Sequence, residues 1–296
     1  MKRCLQSALV LLILLPTVSL SAQDDEPQLQ EFARPSVSGA ALEQGFAAMY
    51  DLKFEDADLV FHRFIAGNPR DPLGPAALGA SMLFALFEQH DILQSEFFSS
   101  EEGYGARKQV VIDESARKRF NDALNTAEEL ARITLVQDPS NEHALFALTL
   151  VYGLRADFAA LIEHRDFWAL RFSDTSNGWA RKLLEVSPDF CDAYVATGVQ
   201  KYLVGLKPAP VRWMLQLGGI KGDQRKGIEE LQLAAEKGRY LSPFARILLA
   251  VAHLRVQDHD QAFSLLSGLQ RDFPHNHLFA EEMAKLRPPN NPQVSR

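Results

Sequence analysis

Apolar side chains recur every third or fourth position through almost every segment between residues 38 and 286, the period of one face of a helix. Residues 53–72, KFEDADLVFHRFIAGNPRDP, are representative: Ala57 and Phe61 lie one turn apart on an amphipathic helix, and Pro69 follows its end. Alternation of the strand type is confined to residues 109–112, too short for a useful strand. The body therefore reads as all-α. Four prolines stand in matching contexts, GNPRD at Pro69, QDPSN at Pro139, VSPDF at Pro188 and DFPHN at Pro274. Proline cannot continue a helix but is tolerated in a first turn, and the short polar residues beside it can cap that turn. Each proline thus marks a helix end, a tight turn and a new start, and the pattern predicts a stack of helical hairpins.

The spacing within the hairpins is specific. Gly45 precedes Ala57 by twelve residues, Phe61 follows by four and Pro69 by a further eight. Ala250, Ala262, Leu266 and Pro274 repeat those offsets near the other end of the chain. These positions resemble the tetratricopeptide repeat (TPR), a helical hairpin of roughly 34 residues. Between the two segments the pattern loosens. Gly79 opens a second unit, Ala127, Ala131 and Pro139 close one, a further hairpin follows from Asn141 to about Arg155, and Ala180 with Pro188 closes another unit. KGIEELQLAAEKG, residues 226–238, is similar to the closing helix of Sel1-like repeats. The resemblance implies an α-α superhelix, a TPR-like solenoid of five to seven hairpins, with a terminal helix near residues 278–286 as a cap. Small residues let the helices of a hairpin approach, Phe61 fills a seam, and neighbouring hairpins bury each other's apolar faces.

Composition places the chain. Lys2 and Arg3, an apolar run of about 16 residues and then Ser19, Ser21 and Ala22 have the layout of a secretory signal peptide, short against the roughly 20 residues a bilayer needs. Cleavage is expected near Ser21 or Ala22, so residues 1–22 are read as a signal, 23–37 as a flexible leader, 38–286 as the repeat domain with an insertion at 95–113, and 287–296 as a disordered tail. The net charge is −7, and loss of residues 1–22 leaves 29 basic against 38 acidic groups, or −9. Such a product has no generic attraction for nucleic acid or anionic lipid, and no stable membrane insertion is expected once the signal is gone. Cys191 remains as the one cysteine, excluding an internal disulfide; it reads as a small buried helix residue. The expected setting is a Gram-negative periplasm.

No motif with a chemical mechanism stands out, and neither a catalytic residue nor a cofactor or metal site is expected. HRDF at residues 164–167 lacks the other parts of a kinase site, and GGIKGD at residues 218–223 follows an apolar helix-like segment and reads as a turn. His275 and His277, two apart, cannot share a helix face and read as exposed turn residues; His253 and His259 flank a turn without a third ligand. Glu281 with Glu282 reads as solvated charge. Trp168, Trp179 and Trp213 fall in helical apolar patterns and read as seam fillers. The resemblance implies that first helices line a concave groove, which assigns Leu42, Phe46, Met49, Tyr50, Leu83, Phe84 and Arg255 to partner binding. That groove is apolar, unlike the Lys- and Arg-bearing clamps of family members that grip a peptide carboxylate. Either it receives a protein or peptide of unknown identity, or the protein's own segments fill it, with Phe97, Phe98 and Tyr104 of the insertion as one such plug. The expected activity is non-catalytic binding of that partner; the alternative is a transport-accessory carrier holding a small apolar ligand inside the superhelix.

Overall fold

The computed structural model describes residues 37–92, 110–217 and 219–286. The signal, nearly all of the leader, most of the insertion (Phe97, Phe98 and Tyr104 among it) and the tail lie outside the described residues. Within them are twelve helices and no strand: α1 (Val37–Tyr50), α2 (Phe54–Gly67), α3 (Leu73–Gln89), α4 (Glu114–Gln137), α5 (Glu142–Leu161), α6 (Asp166–Val186), α7 (Ala193–Gly205), α8 (Ala209–Leu217), α9 (Gln224–Lys237), α10 (Ser242–Arg255), α11 (His259–Asp272) and α12 (His277–Leu286). The fold is an all-α superhelix of stacked hairpins. Five are present among the described residues, α1/α2, α3/α4, α5/α6, α7/α9 and α10/α11, with α12 packed on α11 as the closing helix. Helix α1 also packs on α3, α3 on α5 and α5 on α7, whereas α2, α4 and α6 make their principal contacts with sequence neighbours. The first helix of each hairpin is therefore inner and the second outer. Helix α5 is long and apolar enough to cross a membrane, but most of it is buried in the core.

Two kinds of turn repeat. Pro69, Pro139, Pro188 and Pro274 all occupy the same tight turn from an outer helix to the next inner one, as the proline contexts predict. In the opposite direction, the end of an inner helix carries one residue in the left-handed region: Leu52, Asp91, His164 and Gln257, with φ of 58°, 56°, 54° and 60°. Side chains pay a steric penalty there, on the order of 1 kcal/mol, so the surrounding packing must impose the conformation. Only the α7/α9 hairpin lacks such a residue among the described residues.

The close approach read from Gly45 is present. A Cβ on Gly45 would overlap the ring of Phe61, itself fully buried with Ala57 beside it on α2. Phe61 thus seals its own hairpin, and it meets Phe46 edge-on at 5.5 Å. Gly198 and Gly227 play the same part between α7 and α9, where a Cβ on Gly227 would meet the Tyr202 amide nitrogen at 2.6 Å.

Polar seams tie outer helices to inner ones. Glu128 on α4 accepts hydrogen bonds from Tyr152 (2.8 Å), Arg132 (2.7 Å) and Arg155. Burial works against ionisation of this carboxyl, but bonds from Arg155, Tyr152 and Arg132 outweigh it and hold the pKa at about 2. A depressed acid pKa contributes stability that is complete above its unfolded value and is lost as pH falls through its folded value. Glu128→Gln should therefore cost about 2 kcal/mol in urea unfolding at neutral pH, with the difference from wild type vanishing near pH 2.

Candidate functional site

The groove positions assigned from the resemblance do not form an open surface. Leu42, Phe46, Met49 and Tyr50 on α1 and Leu83 on α3 are buried, with exposures of 4% or less. Phe84 and Arg255 keep partial exposure. The reason is closure of the array on itself. Tyr240, in the turn between α9 and α10, stacks between Phe46 at 5.4 Å and Phe146 of α5 at 5.8 Å. Tyr50 meets Phe273 at 5.7 Å, and Phe84 meets Phe244 of α10 at 5.8 Å. Tyr240 and Phe273, in turns of the carboxy-terminal hairpins, thus cover α1, and Phe244 of α10 covers α3. Of the two explanations for an apolar groove, filling from within holds for these residues, and the filling comes from the carboxy-terminal hairpins.

Polar contacts fasten the same junction. Arg239 pairs with Glu43 of α1. Asp51, after α1, accepts from the His275 amide at 2.8 Å and pairs with the His275 ring and with Lys53, each at 2.8 Å. Burial opposes its ionisation, but the bonds from Lys53 and His275 hold the carboxyl below the usual range. The buried Asn276 donates to the Tyr50 carbonyl at 2.8 Å. The Asp192 carboxylate shapes the closing turn: Oδ1 accepts from the amides of Tyr240 (2.8 Å) and Leu241 (2.6 Å), and Oδ2 from that of Arg239 (2.9 Å).

Several residues stand elsewhere than the sequence places them. Cys191 is buried, but in the turn before α7 rather than in a helix. His275 is an exposed turn residue as read, with its ring paired to Asp51, whereas Glu282 is buried, its carboxylate paired with Lys285 at 2.9 Å. Trp179 is partly buried against the core with Lys182 over its ring, whereas Trp168 and Trp213 are 45% and 65% exposed.

Two polar groups on inner helices have no partner among the described residues. Asp157 is on the α5 stripe that includes Phe146, Leu150 and Leu154. Its carboxyl is enclosed although the residue keeps some accessible surface, and burial alone raises its pKa to about 7. The Tyr202 hydroxyl on α7 is buried without a hydrogen bond. The Tyr240 hydroxyl is in the same position, and burial pushes its phenol up to about 12.

Most of the uncovered apolar surface among the described residues lies at one edge of the superhelix. Because the helices alternate in direction, every inner-to-outer connection emerges on the same side. Of the twelve large apolar residues most exposed, eight belong to that side: Val111, Phe167, Trp168, Leu203, Val211, Trp213, Leu217 and Val256. The opposite edge, with turns such as 68–72 and 138–141, carries three, Ile133, Val136 and Val186. At the start of α6, Phe167, Trp168 and Phe172 form a ladder with ring centroids 5.9 and 6.0 Å apart, and the Arg165 guanidinium lies 5.4 Å from the Trp168 centroid.

The chain is similar in structure to a thermophilic TPR protein of Thermus thermophilus, with 15% identity over 84% of this chain and 98% of that one and a TM-score of 0.42. No family model and no curated protein matches the sequence.

Proposed function

We propose that the protein is an exported, non-catalytic scaffold that binds a polypeptide partner at the inner-to-outer edge, through the α6 ladder rather than the closed groove. The carrying observation is the exposed ladder itself: Phe167 is 68% exposed, beside Trp168 and Arg165, whereas every other aromatic among the described residues except Trp213 is at least partly buried. Trp, Tyr and Arg dominate the binding energy of protein interfaces because they combine large apolar area with directional polar contacts. The exported, periplasmic setting rests on the pattern of residues 1–22. A photoreactive residue at position 167 should crosslink one envelope protein that the same probe at Ser140, on the opposite edge, does not reach. Trp168→Glu should abolish the product while leaving the helical circular dichroism unchanged. Equal crosslinking from both positions, or persistence in Trp168→Glu, would overturn the assignment.

The carrier alternative has one observation in its favour, the unpartnered Asp157 carboxyl and Tyr202 hydroxyl on inner helices. Native mass spectrometry of the purified chain distinguishes it: a bound small molecule lost in Asp157→Leu supports the carrier, and a bare protein mass excludes it.

A further inference from the structure

The α7/α9 hairpin contains an excursion that its packing does not require. Helices α7 and α9 already meet at Gly198 and Gly227. At the base of the excursion the outgoing and returning segments touch: a Cβ on Gly222 would lie 2.5 Å from the Gly205 nitrogen, and one on Gly205 would lie 2.6 Å from the Gln224 nitrogen. The Asp223 amide donates to the Lys201 carbonyl at 3.1 Å. Residues 206–222 thus leave and return at one point, whereas α1, α5 and α10 pass to their partners through short turns with a single left-handed residue. Loops with such pinched ends are frequently functional.

The excursion carries α8, whose principal contact is with α7. Val211, Trp213 and Leu217 are 38%, 65% and 69% exposed, and Leu203 at the end of α7 is 48% exposed. Trp213 and Leu217, four residues apart, share one face. A nine-residue helix is far below the roughly 12 residues at which isolated helices become even marginal in water, so covering this face would stabilise α8. The charge of the loop is opposite to that of the chain: residues 206–222 contain Lys207, Arg212 and Lys221 and no acid, against a net −7 overall.

We propose that this loop is a docking element for an anionic bilayer surface. Trp213 and Leu217 enter the boundary between headgroups and acyl chains, and Lys207, Arg212 and Lys221 meet the lipid phosphates. Tryptophan beside leucine with flanking cations is the composition of an interfacial helix. A stable protein interface needs about 800 Å² from each partner and has few lysines at its core, and one nine-residue helix falls short of that area. Binding is reversible, because a single short apolar face with three cations anchors weakly. The net acidity of the remaining chain keeps the rest of the surface off the membrane.

Hydrogen exchange of the full chain, read by mass spectrometry over α8, tests this with defined vesicles. Phosphatidylcholine vesicles containing about one third phosphatidylglycerol should slow exchange of α8 amides by about tenfold, whereas pure phosphatidylcholine leaves it unchanged. Trp213→Asp and the pair Arg212→Glu with Lys221→Glu should each abolish the protection, as should salt near 1 M, where charge is screened within about 3 Å. All three positions are exposed, so the variants keep the fold, verified by circular dichroism. The readout is local to α8, so lipid contact by the amino-terminal apolar run is common to every variant. Phe167→Glu should leave the protection intact, which separates this surface from the proposed protein-binding ladder. Equal protection by neutral vesicles, or none with either, overturns the proposal; protection only by lipid-free envelope protein overturns it in favour of a protein partner.

Discussion

Replacing Asp157 by Asn should stabilise the protein at pH 8 by about 2–4 kcal/mol and leave it unchanged near pH 4. The sign follows from where the proton is held. Burial raises the folded-state pKa to about 7, from about 3.9 in an unfolded chain, and no neighbouring charge contributes to the shift. The folded state therefore binds the proton more tightly than the unfolded state between those values. Stability is lost as pH rises from about 4, and the full penalty is present above about 7. Asparagine occupies nearly the same volume and cannot ionise, so it removes the penalty without opening a cavity. Urea unfolding at the two pH values measures it. A gain of the same size at pH 4, or no gain at pH 8, would show that the carboxyl is solvated or paired in the folded state.

The second large effect is expected at Asp192, where alanine should cost about 3–5 kcal/mol and loosen the closure of the array. Three backbone amides converge on this carboxylate, and their residues form the turn that places Tyr240 between Phe46 and Phe146. Removing the acceptor leaves buried amides unbonded, at about 1–3 kcal/mol each before the turn relaxes. Asparagine retains one acceptor oxygen and should fall between alanine and wild type. Two measurements separate local from global loss. Urea unfolding gives the magnitude, and small-angle scattering should show a larger radius of gyration for Asp192→Ala in native buffer. A loss below about 1 kcal/mol would mean that solvent replaces the carboxylate at the turn.

Much of the architecture was legible from local pattern. Proline after each outer helix, helical periodicity and the Gly45–Ala57–Phe61 spacing depend on rules that act within about one hairpin, so they can be read along the chain. The candidate sites were less legible. Leu42, Phe46, Met49 and Tyr50 have the composition of a groove, and only the return of residues 239–241 and 273–276 decides that they are core. Trp213 and Leu217 have the spacing of a core stripe but stay exposed among the described residues. Gly222, within a segment read as an ordinary turn, is seen only in the structure to touch the backbone of Gly205. The sequence by itself determined the all-α class, the stacked hairpins and the turns between them, because helix periodicity and proline geometry are local. Tertiary structure decided which apolar faces are covered, because burial depends on segments such as Asp192 and Tyr240 that lie 48 residues apart and meet only when the superhelix closes.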